Sequence, residues 1–191
     1  MLEHLNNKTI FLASQSPRRK ELLASLNIQF DILSINVNEE FPHSTPPDEV
    51  AVFLAQKKAR ACNIKNDNEI YITADTVVNS NDQILNKPAN SEEAVDMLGI
   101  LSGNIHHVHT GVCIKTAKQT MHFTESTQVT FNILNTDEIQ FYVQTYHPFD
   151  KAGGYGIQDW IGKIGISKIN GCYYNVMGLP ISRLYRCLLK L

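Results

Sequence analysis

Hydrophobic positions along the chain switch repeatedly between the two-residue period of strands and the 3.6-residue period of helices. Residues 9–13 form a short apolar run that reads as a buried strand, and residues 17–26 follow as a helix after a turn. Residues 28–37, rich in β-branched and apolar side chains, are expected as a second strand. A helix is expected to begin with Thr45 as N-cap and Pro46 in its first position. Asp48 and Glu49 favour its first turn, and Val50, Ala51, Leu54 and Ala61 share its apolar stripe. Residues 70–78 and 83–85 read as strands before the turn Asn86-Lys87-Pro88. Ser91 is expected to cap a helix with the stripe Ala94, Val95, Leu98 and Leu101, ended by Gly103. Two β-rich stretches, 107–115 and 121–134, precede a helix over 137–145 that stops before Pro148. Strands are expected over 165–169 and 172–177, and a last helix from Pro180 buries Ile181, Leu184, Leu188 and Leu189. This alternation predicts an α/β fold, a mixed β-sheet with flanking helices.

Composition narrows the class. The chain has 191 residues, 43% hydrophobic and 19% charged, which suits a packed core rather than a disordered segment. It reads as one domain over residues 1–191, with no repeat or long linker. A net charge of −2 argues against polymeric nucleic acid, yet a few placed cations still suffice for a small anionic ligand. Cys62, Cys113, Cys172 and Cys187 form no C-x-x-C pair and read as buried free thiols. Residues 1–8 carry no apolar run of a signal peptide, and no 18-residue apolar stretch occurs, so no membrane association and a cytoplasmic location are expected.

The segment Phe11-Leu-Ala-Ser-Gln-Ser-Pro-Arg-Arg-Lys-Glu-Leu-Leu23 changes the picture most. Ser14 and Ser16 lie in a turn, and Pro17 opens a helix whose first turn holds Arg18, Arg19 and Lys20. Cations there oppose the helix dipole, each exposed one costing roughly 0.3–1 kcal/mol. A bound phosphate reverses that sign, because backbone N–H groups, hydroxyls and guanidinium forks then all face an anion. The alternative is a solvated basic turn partly neutralised by Glu21. Asp75 lies within the apolar strand 70–78, where a carboxylate must be paired, hydrogen-bonded or metal-bound, or else cap the strand end. Lys58 shares a face with Leu54, either snorkelling from the stripe or neutralising an anion. Lys151 beside Asp150 reads as a surface pair or as a phosphate ligand, and the following glycines let backbone approach a ligand closely. His107 and His109 share one strand face with His106 on the other, an arrangement unlike a zinc site. P-loop and dinucleotide fingerprints are absent from the sequence.

The same segment, Leu-Ala-Ser-x-Ser-Pro-Arg-Arg-x-Glu-Leu-Leu, resembles the N-terminal signature of the Maf family. Ala74-Asp75-Thr76-Val77-Val78, Lys87-Pro88, Leu101-Ser102-Gly103, Thr110-Gly111-Val112, Asp150-Lys151-Ala152-Gly153, Tyr155-Gly156-Ile157-Gln158 and Gly178-Leu179-Pro180 follow in the family's order. The resemblance implies an inosine-triphosphatase-like fold with two lobes around a cleft. It also implies a nucleoside triphosphate pyrophosphatase that takes dTTP and UTP to the monophosphate and pyrophosphate. Asp75 is then the base that activates water, and Arg18, Thr76 and Gln158 match the positions that mark the dTTP/UTP branch. A primary amide donates and accepts at once, as the imide edge of thymine or uracil requires. Ser14, Ser16, Arg18, Arg19, Lys58, Lys87 and Lys151 are the expected phosphate ligands, Lys87 on the family pattern alone. Glu39 matches an acid after the second strand, and with Asp75 and Asp150 offers oxygen ligands for a divalent cation, magnesium or alternatively manganese. Asp159 stands where glycine is usual and puts a charge beside the expected base pocket. Monomer and homodimer both stay open. The competing readings are a 7-methyl-GTP pyrophosphatase and a nucleotide-binding regulator of septum formation and cell division.

Overall fold

A computed structural model describes residues 2–191; Met1, which opens the N-terminal segment read above, lies outside it. Its centre is a seven-stranded mixed sheet with flanking helices, as the alternation of periods implies. In chain order the elements are β1 (Thr9–Leu12), α1 (Pro17–Ala24), β2 (Asp31–Ile32), α2 (Pro47–Arg60), β3 (Glu69–Ser80), β4 (Gln83–Leu85) and α3 (Ser91–Leu101). There follow β5 (Ile105–Thr116), β6 (Thr120–Phe131), α4 (Thr136–Tyr146), α5 (Trp160–Gly165), β7 (Ile166–Asn170), α6 (Tyr173–Met177) and α7 (Ile181–Leu188). Strand order is β2-β1-β3-β5-β6-β7, with β4 on β3. β1 runs parallel to β2 and β3, while β4 and β7 pair antiparallel with β3 and β6.

By contacts the chain divides into two compact units. The first comprises the residues up to Asp75 together with Thr110–Glu125 and Gly178–Leu191; the second comprises Thr76–His109 and Ser126–Met177. In the first unit α2 lies against the sheet at backbone distance, because Gly111 on β5 presents no side chain to it. A Cβ there would collide with the backbone of Ala51 and Val52. The Thr73 hydroxyl donates to Ala55 O at 2.7 Å, and Lys115 Nζ donates to Ala59 O at 3.1 Å and Cys62 O at 2.7 Å. The Thr73 contact ties the middle of α2 to β3, and the Lys115 contacts tie its last turn and a residue just beyond it to β5.

In the second unit Leu98, Leu101, Val108, Val129, Phe131, Tyr142, Tyr155 and Ile161 belong to one core cluster. Among them sits His106, hydrogen-bonded through Nε2 to the Tyr155 hydroxyl at 2.7 Å. Burial, with a smaller push from His107, holds its pKa down at about 3. An unfolded chain protonates this ring near pH ~6.5, so between there and pH 3 the unfolded state binds a proton that the folded state refuses. Stability from this group is complete above that window and falls with acidification, by up to ~1.4 kcal/mol per pH unit. The urea midpoint should therefore fall from pH 7 to pH 5, and His106→Gln should flatten that fall. An equal fall in both proteins would show that another group is responsible.

Five sequence expectations are corrected. The strand over 28–37 shrinks to Asp31–Ile32 at the sheet edge, because its partner β1 ends at Leu12 and the chain turns away. The second helix starts at Pro47, not Pro46: a residue before proline is driven out of helical geometry, and Pro46 sits extended with φ −56° and ψ 141°. The third helix is capped by Asn90 rather than Ser91, the amide oxygen accepting from Glu93 N–H at 2.9 Å. Residues 172–177 are not a strand. Asn175, fully buried in α6, donates to Val108 O and Thr127 Oγ1 at 2.9 Å each, and Cys172 N–H donates to Thr127 Oγ1 at 3.0 Å. Those anchors override the local β preference of Tyr173, Tyr174 and Val176. Leu189, expected in the core, is exposed because α7 ends at Leu188.

Candidate active site

The turn from β1 into α1 is shaped by its two serines. Ser16 is the N-cap of α1, its hydroxyl accepting from Arg19 N–H at 3.4 Å, and Ser14 Oγ accepts from Ser16 N–H at 3.2 Å. No acid stands in the first helical turn, so Arg18 and Arg19 enter it against the dipole, as the sequence implies. Arg19 turns inward. Its Nη1 donates to Ala74 O at 2.8 Å and to Ser14 Oγ at 3.4 Å, and its Nε donates to Gly178 O at 2.8 Å. Burial lowers the pKa of the guanidinium; Asp75 opposes that most, Arg18 adds to it, and Glu39 opposes it. Parallel pairing of β1 and β3, with Leu12 opposite Ile72, carries the serine turn to the level of Ala74 and Asp75. The serine turn and the carboxylate strand thus belong to one unit and are joined through Arg19.

Asp75 is buried, and its charge is met by Lys58. The ammonium of Lys58 lies 2.5 Å from Asp75 Oδ1 and 2.7 Å from Glu39 Oε1. Side-chain exposure is 14% for Lys58, 11% for Asp75 and 48% for Glu39, so the pair with Asp75 is the desolvated one. A buried carboxylate without such a partner would be strongly unfavourable. The helix contacts at Thr73, Gly111 and Lys115 hold α2, and with it Lys58, against this strand. Among the described residues no three His, Cys, Asp or Glu gather in a metal-holding group. The arrangement offers instead two carboxylates already converging on one cation.

In the second unit the turn of Lys87 packs on the glycine segment: Gly153 N–H donates to Asn86 O at 3.1 Å, and Gly153 has φ +69°, a left-handed conformation that favours glycine. Lys87 itself is exposed. Lys151 Nζ lies 2.7 Å from Asp150 Oδ1 and 3.8 Å from Asp159 Oδ2. Thr76 and Gln158 are half-buried, and Gln158 Oε1 is buried without a hydrogen-bond partner. The Asp159 charge expected beside the base pocket is occupied within the protein, its Oδ2 accepting from the Tyr142 hydroxyl at 2.8 Å. Sequence reasoning missed Tyr142, which occupies one apolar-face position of α4 and meets its partners only through the fold. The rings of His107 and His109 stack with centroids 6.0 Å apart, as two residues on one strand face should.

Comparison with known proteins agrees with this order of parts. A family model described as Maf-like protein matches residues 9–191. A protein of Parabacteroides distasonis named dTTP/UTP pyrophosphatase is 47% identical over 188 residues, covering 97% of each chain. One of the same name from Porphyromonas gingivalis (strain ATCC 33277) is 48% identical over 189 residues, 97% of this chain and 95% of that one. Among solved structures, a HAM1 protein from Coxiella burnetii covers 96% of this chain and 100% of its own at TM-score 0.47 and 14% identity, a likeness too loose to argue from. The matches to the family model and to these relatives run over nearly the whole length, and the chain belongs to the Maf family.

Proposed function

We propose that this protein hydrolyses dTTP and UTP to the monophosphate and pyrophosphate. The observation that carries the reading is the gathering of Asp75, Glu39 and Lys58 beside the Ser14–Arg19 turn. Relatives named dTTP/UTP pyrophosphatase at 47–48% identity supply the substrate class. Asp75, held by one oxygen on Lys58, accepts the proton of the attacking water. Ser14, Ser16 and Arg18 hold phosphate oxygens at the start of α1, where helix N–H groups already favour an anion. Arg19 braces that turn against Ala74 and contributes positive charge. Lys58 complements charge that spreads over the phosphoryl oxygens.

A divalent cation fits the donor set. Magnesium is commonly held by one or two carboxylates together with substrate phosphates, and Glu39 and Asp75 already meet at a single positive group. When bound, the ion would withdraw charge from the phosphate oxygens. Gln158 reads the base: its buried, unpaired Oε1 suits the N3–H donor of uracil or thymine. Thr76 and Arg18 complete the specificity set, and on this reading the protein works in the cytoplasm. Purified protein should turn over dTTP and UTP with magnesium, releasing pyrophosphate, in preference to 7-methyl-GTP and the purine triphosphates. Preference for 7-methyl-GTP, or release of orthophosphate with dTDP, would contradict the reading.

A further inference from the structure

Tyr142, Gly156 and Asp159 form a closed set of contacts that the chemistry above does not use. Asp159 Oδ2 accepts from the Tyr142 hydroxyl at 2.8 Å, and that hydroxyl accepts from Gly156 N–H at 3.1 Å. Asp159 N–H donates back to Gly156 O at 3.0 Å. Gly156 has no space for a side chain, because a Cβ there would stand 2.5 Å from Asp159 Oδ2. Tyr142 is fully buried, and burial followed by Asp159 drives its pKa far upward, so the phenol keeps its proton and remains a donor.

Gln158 lies inside this loop. A side-chain amide can serve two kinds of base edge: oxygen toward an N–H donor, or, after a half-turn, nitrogen toward an acceptor. Uracil and thymine present N3–H, whereas cytosine presents a bare N3 and an amino group. An amide on a rigid turn keeps one face forward; on a loose turn it rotates to suit either.

We propose that Asp159 is a specificity-determining positioning residue, which through Tyr142 and Gly156 N–H fixes the turn presenting Gln158 and so favours uracil and thymine over cytosine. The inference rests on Gln158 as the base-reading residue. Removing the acceptor loosens the turn, weakens binding of the right base and relieves rejection of the wrong one. The change is read in the dTTP-to-dCTP ratio, because any shift of Lys151, whose Nζ lies 3.8 Å from Asp159 Oδ2, acts on both nucleotides alike.

The test compares kcat and KM for dTTP and dCTP in wild type, Asp159→Ala, Asp159→Asn and Tyr142→Phe, each checked by thermal melting. Wild type should favour dTTP. Asp159→Ala and Tyr142→Phe should reduce the dTTP-to-dCTP ratio by roughly tenfold, as expected for one lost hydrogen bond. Asp159→Asn retains an oxygen for the tyrosine hydroxyl and should restore the ratio, a rescue that stability alone would not give. An unchanged ratio in Asp159→Ala, or no preference in wild type, overturns the proposal. Calorimetry with imido analogues of dUTP and dCTP reads the same preference without turnover. Absent hydrolysis with preserved preference would therefore count against the hydrolase reading alone.

Discussion

Asp75→Asn should lower kcat by about 10²–10⁴, the range for loss of a general base, while leaving nucleotide binding nearly intact. Asparagine keeps an oxygen for Lys58, and Glu39 remains on the same ammonium at 2.7 Å, so the surroundings have no reason to collapse. What disappears is the proton acceptor. Kinetics and calorimetry on the same preparation separate the two effects. Undiminished kcat would remove Asp75 from the chemistry, and lost binding with preserved folding would make holding the cation, rather than accepting the proton, its main part. The variant also discriminates the enzyme from a nucleotide-binding regulator. If the protein only reports nucleotide, Asp75→Asn should retain any effect on cell division; if hydrolysis is the function, that effect should vanish with turnover.

Lys58→Met is the second large effect. Removing the ammonium leaves Asp75 buried and Glu39 close by, two carboxylates without their shared cation. Their repulsion opens the arrangement and forfeits one positive charge for the phosphates. Loss of one preorganised electrostatic donor costs ~10²–10³ in rate. Stability should fall too, less than for a fully buried pair because Glu39 is half exposed. Lys58→Arg should recover part of the stability and little of the rate, since a planar fork does not reproduce a compact ammonium meeting two carboxylates. Steady-state kinetics and urea unfolding on both variants check this. Equal activity in Lys58→Met and wild type would return Lys58 to a lysine lying along the apolar stripe.

How much was legible in the sequence depended on whether the determining interaction was local. The strand–turn–helix around Pro17 was readable because the change of period, the N-cap serine and the misplaced cations all occur within a few residues. Lys58 was placed by helical spacing from Leu54, but its bond to Asp75 spans 17 positions and only the packing of α2 on β3 shows it. The edge strand at Asp31–Ile32 was overextended because β propensity says nothing of how long the neighbouring strand is. The helix at Tyr173–Met177 was misread because its conformation is fixed from outside, by Asn175 and Thr127. Asp159 was a bare charge in sequence and is a hydrogen-bonded one in the fold, its partner lying 17 positions away on α4.

Everything proposed depends on a triphosphate lying between the start of α1 and the Asp75–Lys58 pair within the first unit. A crystal structure with magnesium and a non-hydrolysable dTTP analogue tests that directly. Phosphate oxygens should contact Ser16 or Arg18 and approach Lys58, with Asp75 facing a water positioned against phosphorus. A triphosphate bound on another face, with no phosphate near Asp75 or Lys58, would contradict the account.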